Sequence, residues 1–333
     1  MKKIITKHNM PIYSSKIFDT YFGNRKCGVF DIETTGLSFT NDKIILTALL
    51  TVNDNIATVT QFLATSLNEE SAVVKATLDY INEEGIDYLL TYNGASFDMP
   101  FLAVKATKYQ IGKYIDCYIL DLYRVFRNHS DLSNQMSSLS QKSMEKYLGI
   151  ADDRFDTIDG KKSVELFKEY LITKEDALEK TILTHNREDV IQLYRLLEII
   201  KYTDFHGAMY KYGFPYLAQD TCLSVTLKLS NGYLTISGNQ ISGLLSIDTF
   251  GDFNNNYEAV FDINNKKFQI KVPAFKEANG IYIDASFLND SSMDLELING
   301  YLILEEDKIK KHREINIFSM HLIDIIILSY SNK

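Results

Sequence analysis

The sequence predicts an α/β fold, in which a mixed sheet flanked by helices over residues 1–201 is followed by a smaller β-rich domain over residues 202–333. Three observations lead to this prediction. Three apolar runs joined by short polar turns are typical of an antiparallel meander. Helical and strand patterns then alternate, as they do in layered α/β sheets. Beyond residue 202, short alternating runs with hairpin signals take over, and 333 residues exceed the usual size of one core.

The first domain is predicted to contain strands at 26–33, 43–52 and 56–62, a helix at 69–84, strands at 88–91 and 114–120, and helices, with breaks, over 138–201. Polar pairs such as Asn53-Asp54 separate the first strands and favour tight turns. Gly85 is the glycine that commonly follows the last turn of a helix. A further helix is expected between the last two strands, continuing through Phe101 and Leu102. The pattern therefore predicts three strands followed by alternating helix and strand.

The second domain is predicted from short alternating runs at 223–229, 233–237, 259–263, 268–272, 281–283 and 301–304. Asn231-Gly232 is a strong signal for a hairpin turn between the first two runs. Residues 315–328 are the best candidate for a membrane span, but His321 and Asp324 interrupt the apolar run, which therefore reads as a buried C-terminal helix. The sequence assigns no role to this domain.

Composition favours a cytoplasmic enzyme without membrane contact. No apolar run approaches the ~20 residues that a membrane-spanning helix needs. Three widely spaced cysteines, an odd number without zinc-site spacing, are typical of reduced thiols in the cytoplasm. The net charge of −9 weighs against a nucleic-acid partner, because phosphate backbones favour basic surfaces. The argument is weak if four of the acids bind metal. Basic residues that suit a modest single-strand groove are Lys105, Lys108, Lys113, Arg124, Arg127, Lys142 and Lys146.

Asp31 and Glu33 are the most informative pair in the chain. Residues two apart in a strand point to the same face, so these carboxylates lie side by side at the end of a strand that reads as buried. Like charges on a partly buried face repel each other and lose hydration, at several kcal/mol per ion. A hard divalent cation such as Mg²⁺ or Mn²⁺ reverses that effect. The alternative is a solvated strand end whose acids contact nothing.

Two further segments carry acids of the same kind. Asp98 follows the Asn93-Gly94 turn and enters a helix, where it could be a helix cap or a metal ligand. His185 and Asp189 lie four residues apart on a predicted helix and therefore project from one face. Such a pair is also common as a surface hydrogen bond. The three segments together are far more specific than any one of them.

With these residues the chain resembles the DEDD superfamily of 3′→5′ exonucleases, which have a ribonuclease-H-like fold. Asp31 and Glu33 match its Asp-x-Glu motif, and Asn93 through Asp98 match Asn-x-x-x-Phe-Asp. His185 has the spacing of the Tyr subtype but the residue of the His subtype, so the subtype stays open. Tyr92-Asn93-Gly94, the stretch 143–149 and His185-Asn186 resemble the YprB-like bacterial branch most closely. The resemblance covers roughly residues 20–200.

The resemblance implies hydrolysis of phosphodiester bonds at the 3′ end of a nucleic acid, with single-stranded ends as the expected partner. Two divalent ions, Mg²⁺ or Mn²⁺, neutralise the attacking and leaving oxygens in such sites. Asp31 would bridge both ions, Glu33 and Asp189 would complete one, and Asp98 the other. His185 would be the general base, because an ordinary imidazole pKa near 6.5 suits neutral pH.

Substrate contacts are expected from Asn93, which orients either the turn or the terminal nucleotide, and from Thr34 and Phe97. Two other functions remain open. One is a nucleic-acid- or protein-binding module that has kept the fold but lost the activity. The other is an endonuclease of the broader ribonuclease-H-like class, which fits the acids but not the segment from Asn93 to Asp98. The sequence does not distinguish DNA from RNA.

Overall fold

The computed structural model describes residues 1–112, 115–151, 154, 158, 160–230, 232–249, 256–277, 280–288 and 294–331. The chain divides into two compact units. The first comprises Met1–Asp19 and Gly23–Thr203, and the second comprises Thr20–Phe22 and Asp204–Lys333. The division into domains at residues 1–201 and 202–333 stays a prediction.

The first unit is built on a six-stranded mixed sheet with the strand order β1-β4-β3-β2-β5-β6. Its strands are β1 (Lys2–Asn9), β2 (Cys27–Thr34), β3 (Ile44–Asn53), β4 (Ile56–Leu63), β5 (Tyr88–Thr91) and β6 (Tyr118–Asp121). The first four strands pair antiparallel, whereas β5 runs parallel to β2 and β6 parallel to β5. β3 is buried along most of its length, as expected for a central strand that is covered on both faces.

The helices from the start of the chain to Arg195 are α1 (Lys16–Phe22), α2 (Glu70–Glu83), α3 (Asp98–Lys108), α4 (Leu122–His129), α5 (Gln141–Leu148), α6 (Gly160–Thr173) and α7 (Asp176–Arg195). Among them, α2, α4, α6 and α7 pack on the sheet. The core lies between sheet and helices, where Phe30, Leu49 and Phe101 are among its buried members. Helix α7 packs on β2 and β3, and α6 packs on α7. The predicted α/β class, with a mixed sheet flanked by helices, is confirmed.

The structure corrects two of the strand predictions. β1 was not expected, because its sequence carries only two apolar residues, Ile4 and Ile5, and its partner β4 lies some fifty residues further along the chain. The strand predicted at 114–120 is shorter and later, at Tyr118–Asp121. Residues 113 and 114 lie outside the described part of the chain, and so does the predicted groove residue Lys113.

The prediction that Lys105 is available to a nucleic acid is wrong. Its side chain is fully buried, and its Nζ lies 3.4 Å from Oε1 of the buried Glu70. The same Nζ donates to the backbone carbonyls of Thr40 and Asp42. Because the side chain is tied to the protein on every side, Lys105 is part of the interior of the first unit.

The second unit is mainly β-structure. Its elements are α8 (Phe205–Tyr212), β7 (Phe214–Ala218), β8 (Thr221–Ser230), β9 (Tyr233–Ser242), β10 (Ile247–Asp248), β11 (Glu258–Asp262), β12 (Lys267–Pro273), β13 (Phe275–Glu277), β14 (Gly280–Asp284), β15 (Tyr301–Glu306), β16 (Ile309–Lys310) and α9 (His312–Ser331). They form a sheet of order β10-β11-β12-β9-β8-β7 and another of order β13-β14-β15-β16. The β-rich region and its final helix are confirmed. Among the described residues, no helix is both long and apolar enough to cross a membrane.

Candidate functional site

The sequence-predicted residues meet in one cleft of about 900 Å³ in the first unit. Its lining includes the five residues Asp31, Glu33, Asp98, His185 and Asp189. The three expected substrate contacts, Thr34, Asn93 and Phe97, line the same cleft. Residues that are 158 positions apart in the chain, from 31 to 189, therefore share one opening.

Strand β2 positions the first two acids. Phe30 and Ile32 belong to the core, so the alternating Asp31 and Glu33 point to the other face. The pairing of β2 with β3 shifts its register between Glu33 and Thr34. Bulges of this kind often lie beside functional sites, where they redirect a side chain. Glu33 is only 6% exposed, so its charged group lies in a buried position.

The second segment is a tight turn between β5 and α3. Asn93 adopts a left-handed φ of +63°, and a Cβ added to Gly94 would lie 2.6 Å from the Cβ of Thr91. The turn brings Asp98 to the first position of α3, where its Oδ1 accepts a hydrogen bond of 3.1 Å from the backbone N–H of Ile32. The second motif is thereby fastened directly to the strand that carries the first.

Asp121 holds this turn and was missed by the sequence analysis. Its carboxylate accepts hydrogen bonds from the backbone N–H groups of Asn93 (2.8 Å) and Ala95 (3.1 Å). It also caps α4 by accepting from the N–H groups of Tyr123 and Arg124. An Asp directly before a helix signals the cap. Its contact with a turn 28 residues earlier has no local signal.

Helix α7 presents the third segment. Nε2 of His185 lies 3.5 Å from Oε1 of Glu33 and 3.5 Å from Oδ2 of Asp189. One donor atom from each of these three residues falls within 4.8 Å of the others. An imidazole nitrogen and two carboxylate oxygens at such separations could hold a divalent ion. As predicted, the side chains of His185 and Asp189 project from the same face of α7.

The acids affect one another's protonation. Burial, followed by the charges of Asp189, Asp98 and Glu33, raises the pKa of Asp31 well above its ordinary value. Burial likewise raises the pKa of Glu33 to about 7, although the charge of His185 acts in the opposite direction. The pKa of Asp98 rises to about 7, again mainly through burial. Desolvated acids that repel one another are stabilised by a bound cation.

Asp189 has a partner that the sequence did not reveal. The Arg154 guanidinium forms an ion pair with Oδ1 of Asp189 and reaches both oxygens of Glu145 at 2.8 and 3.0 Å. Gln141 donates to Oε1 of Glu145 at 3.0 Å and to the backbone carbonyl of Asp189 at 2.9 Å. The buried Arg154 and Glu145 thus hold one oxygen of Asp189 while the other faces His185.

Two buried side-chain amides connect Asp31 to the interior through hydrogen bonds. Asn186 donates from Nδ2 to Oδ2 of Asp31 at 2.8 Å. Gln61 on β4 donates from Nε2 to Oδ1 of Asn186 at 2.9 Å and to the carbonyl of Leu183 at 3.0 Å. The sequence analysis named Asn186 only as part of a family likeness and did not find Gln61.

The expected substrate residues differ in availability. Asn93 is exposed at the cleft, whereas Thr34 is buried and donates its hydroxyl to the carbonyl of Gly36 at 2.7 Å. The Phe97 ring packs at 6.0 Å from Phe39 and 5.6 Å from Phe101. Among the described residues, the lysines that line the cleft are Lys142, which the sequence analysis included, and Lys161 and Lys168, which it did not.

Comparisons with known proteins agree with this architecture. Residues 29–201, just over half of the chain, match the RNase H superfamily. The chain is also similar to the "Uncharacterized protein YprB" of Bacillus subtilis (strain 168), with 28% identity over 200 residues, or 59% of this chain and 47% of that protein. It therefore spans about half the length of that relative. The matched superfamily region contains all five of the residues His185, Asp31, Glu33, Asp98 and Asp189. The expected likeness to ribonuclease-H-like proteins and to the YprB-like branch is confirmed, and the chain belongs to the RNase H superfamily.

Proposed function

We propose that the protein is a metal-dependent 3′→5′ exonuclease that acts on single-stranded ends. One observation carries the proposal: four carboxylates and a histidine from three distant segments line a single cleft, and the pKa values of three of the acids are raised. An RNase H superfamily fold supports a nucleic acid as the substrate. Perturbed acids grouped in a cleft are typical of functional sites.

The donor set fits divalent metal ions. Glu33 and Asp189 would hold one ion, Asp98 would hold a second, and Asp31 would contribute to both. Bound Mg²⁺ or Mn²⁺ would neutralise negative charge on the attacking and leaving oxygens of the phosphodiester. Carboxylate oxygens are the ligands that these hard ions prefer.

His185 is proposed to take the proton from the attacking water. Its Nε2 lies 3.5 Å from a carboxylate oxygen of Glu33 and of Asp189. His185 is only 3% exposed, so bulk water has little access to this nitrogen. The two carboxylates stabilise the imidazolium that forms once the proton has moved. Asp189 and Glu33 therefore have a second role besides metal binding, which is to orient the base.

Several features support the end of a single nucleic-acid strand as the substrate. The cleft volume lies within the range of about 300–1,000 Å³ that is common for small-molecule sites, which suits a terminal segment better than a duplex. Lys142, Lys161 and Lys168 on the lining can contact phosphates, and the rings of Tyr92 and Phe97 can stack on bases. Asn93 is the exposed polar group at the turn and is proposed to contact the terminal nucleotide.

The test is incubation with 5′-labelled single-stranded DNA and RNA in Mn²⁺, Mg²⁺ or EDTA. We expect a ladder of products shortened from the 3′ end in either metal and none in EDTA. A matched strand with phosphorothioate linkages at its 3′ end should resist degradation. Internal cleavage of that blocked strand would instead indicate an endonuclease.

A binding module without activity is the second candidate, and the ion pair between Arg154 and Asp189 favours it. The Arg154 guanidinium neutralises part of the negative charge of Asp189, which would otherwise attract a metal ion. The two candidates differ in metal binding. An inactive module would retain the labelled strand in a filter-binding assay equally well in Mg²⁺ and in EDTA.

A further inference from the structure

Asp31 is the last member of a series of hydrogen bonds that links strand β4 to strand β2 through helix α7. The series starts at Gln61 on β4, passes through Asn186 on α7 and ends at Oδ2 of Asp31 on β2. The side chains of Gln61 and Asn186 are 1% and 0% exposed. Neither amide can therefore touch a nucleic acid in the cleft, and any contribution to the site must act through Asp31.

The direction of these hydrogen bonds is determined by a backbone carbonyl at the Gln61 end. The backbone carbonyl of Leu183 can only accept, so the atom of Gln61 that faces it must be the amide nitrogen. The same Nε2 of Gln61 donates to Asn186, so the oxygen of Asn186 must face Gln61 and its nitrogen faces Asp31. The two amides satisfy each other only in this orientation.

We propose that Asn186, oriented by Gln61, is a positioning residue that sets the geometry of Asp31 for metal binding. The hydrogen bond fixes Oδ2 of the carboxylate and leaves Oδ1 available to a cation. This inference rests on the proposed function, because it assigns the pair a purpose only if Asp31 binds metal. Partners of metal-binding groups typically contribute about 10–100-fold to affinity.

Gln192 is a natural comparison on the same helix. It is also completely buried, yet neither atom of its amide has a hydrogen-bond partner in the described part of the chain. A buried amide on α7 is thus compatible with the fold without any connection to the cleft. Replacing Gln192 should reveal the effect of altering a buried amide in α7, separate from any effect on Asp31.

The test measures Mn²⁺ affinity of the full chain by titration calorimetry, with folding checked by melting temperature and circular dichroism. Asn186→Leu is nearly isosteric and removes the donor, so we expect Mn²⁺ to bind about 10–100-fold more weakly. Gln61→Met keeps the donor but removes the group that orients it, and we expect a smaller loss. The matched control Gln192→Met should bind Mn²⁺ as the parent does.

A second measurement separates positioning from a purely structural role. Cleavage by Asn186→Leu should fall at low Mn²⁺ and return towards the parental rate as Mn²⁺ is raised, because the ligands themselves are intact. Equal isotherms for the parent and both folded variants would overturn the inference and leave the proposed function standing. A parent that binds no Mn²⁺ would overturn both.

Discussion

The first unit buries carboxylates in two different ways. Glu70 on α2 is matched by Lys105 at 3.4 Å and also accepts hydrogen bonds from the backbone N–H of Ile44 and the hydroxyl of Tyr109. In the cleft, Glu33 and Asp98 are buried, whereas Asp31 and Asp189 are partly buried. The charges of other acids raise the pKa of Asp31. Glu33 faces Asp189 and His185, and its pKa is raised to about 7 mainly by burial.

The difference separates acids that are paired with a buried cation from acids that are proposed to bind metal. This protein provides a cation for a buried acid where architecture needs one, as it does for Glu70 and again for Glu145, which pairs with Arg154. In the cleft it concentrates acids at a location where a divalent ion would supply the missing charge. The following predictions test whether the cleft acids affect metal binding and cleavage, while the paired acid Glu70 affects only stability.

The largest effect is expected from Asp31→Asn or Asp189→Asn, each of which removes a proposed metal ligand. Cleavage should be abolished, which exceeds the loss of roughly 10²–10⁴-fold expected for a general base. Glu70→Gln is the matched control, because it also converts a buried acid into an amide. It should lower the melting temperature and leave the turnover number of the folded enzyme near the parental value.

His185→Ala should slow hydrolysis by roughly 10²–10⁴-fold without loss of metal binding, because only the proton acceptor disappears. Turnover should partly recover as the pH is raised, since hydroxide can replace the missing base. Rates measured across pH at saturating Mg²⁺ check this. Full activity of the variant at neutral pH would show that water activation depends on the metal and that His185 only orients it.

Lys105→Met should reduce the free energy of unfolding by about 3–5 kcal/mol, because it leaves the buried Glu70 without its cation. Urea denaturation measures the loss. Lys108→Met is the control, since Lys108 lies exposed on the same helix α3, and its effect should be small. Comparable losses in both variants would contradict the structural role assigned to the buried pair.

Mg²⁺ or Mn²⁺ should raise the melting temperature of the parent, because the ion binds the folded state only. At a concentration 100 times the Kd the stabilisation is about 2.7 kcal/mol. Asp31→Asn should show a much smaller shift. An equal increase in ionic strength with NaCl serves as the control, and the same shift in NaCl would rule out a specific site.

The smallest effect is a slope in stability against pH without metal. The folded-state pKa of Glu33, about 7, exceeds its ordinary 4.5, so its protonation stabilises the folded protein fully below about pH 4.5. That stability is lost as the pH rises through 7, at no more than about 1.4 kcal/mol per pH unit for one group. Chemical denaturation between pH 5 and 8 should give a shallower slope for Glu33→Gln than for the parent.

Local patterns were sufficient to predict much of the fold. The meander expected at 26–33, 43–52 and 56–62 corresponds to β2, β3 and β4 within one or two residues, because apolar runs and polar turns are local signals. β1 has little apolar content and depends on pairing with β4. Such an edge strand is specified by its partner more than by its own residues.

The site shows the same limit. Its acids stand in compact motifs and could be found from spacing, and the structure brings them into one cleft. Arg154, Gln61 and Asp121 could not be found in this way, because each reaches its partner across 28 to 125 residues of sequence. Their residue types are ordinary, and only the folded chain shows what they contact.

The hydrogen bond between Asn186 and Asp31 joins parts of the chain that are synthesised at different times. It joins residues 155 positions apart, and contacts of such separation form late in folding. During synthesis at about 5–20 residues per second, the strand that carries Asp31 precedes helix α7 by roughly 8–30 s. A nascent chain thus carries the first pair of acids without the last acid or its histidine. The proposed metal-dependent cleavage would therefore begin only after α7 has been made and has packed on β2.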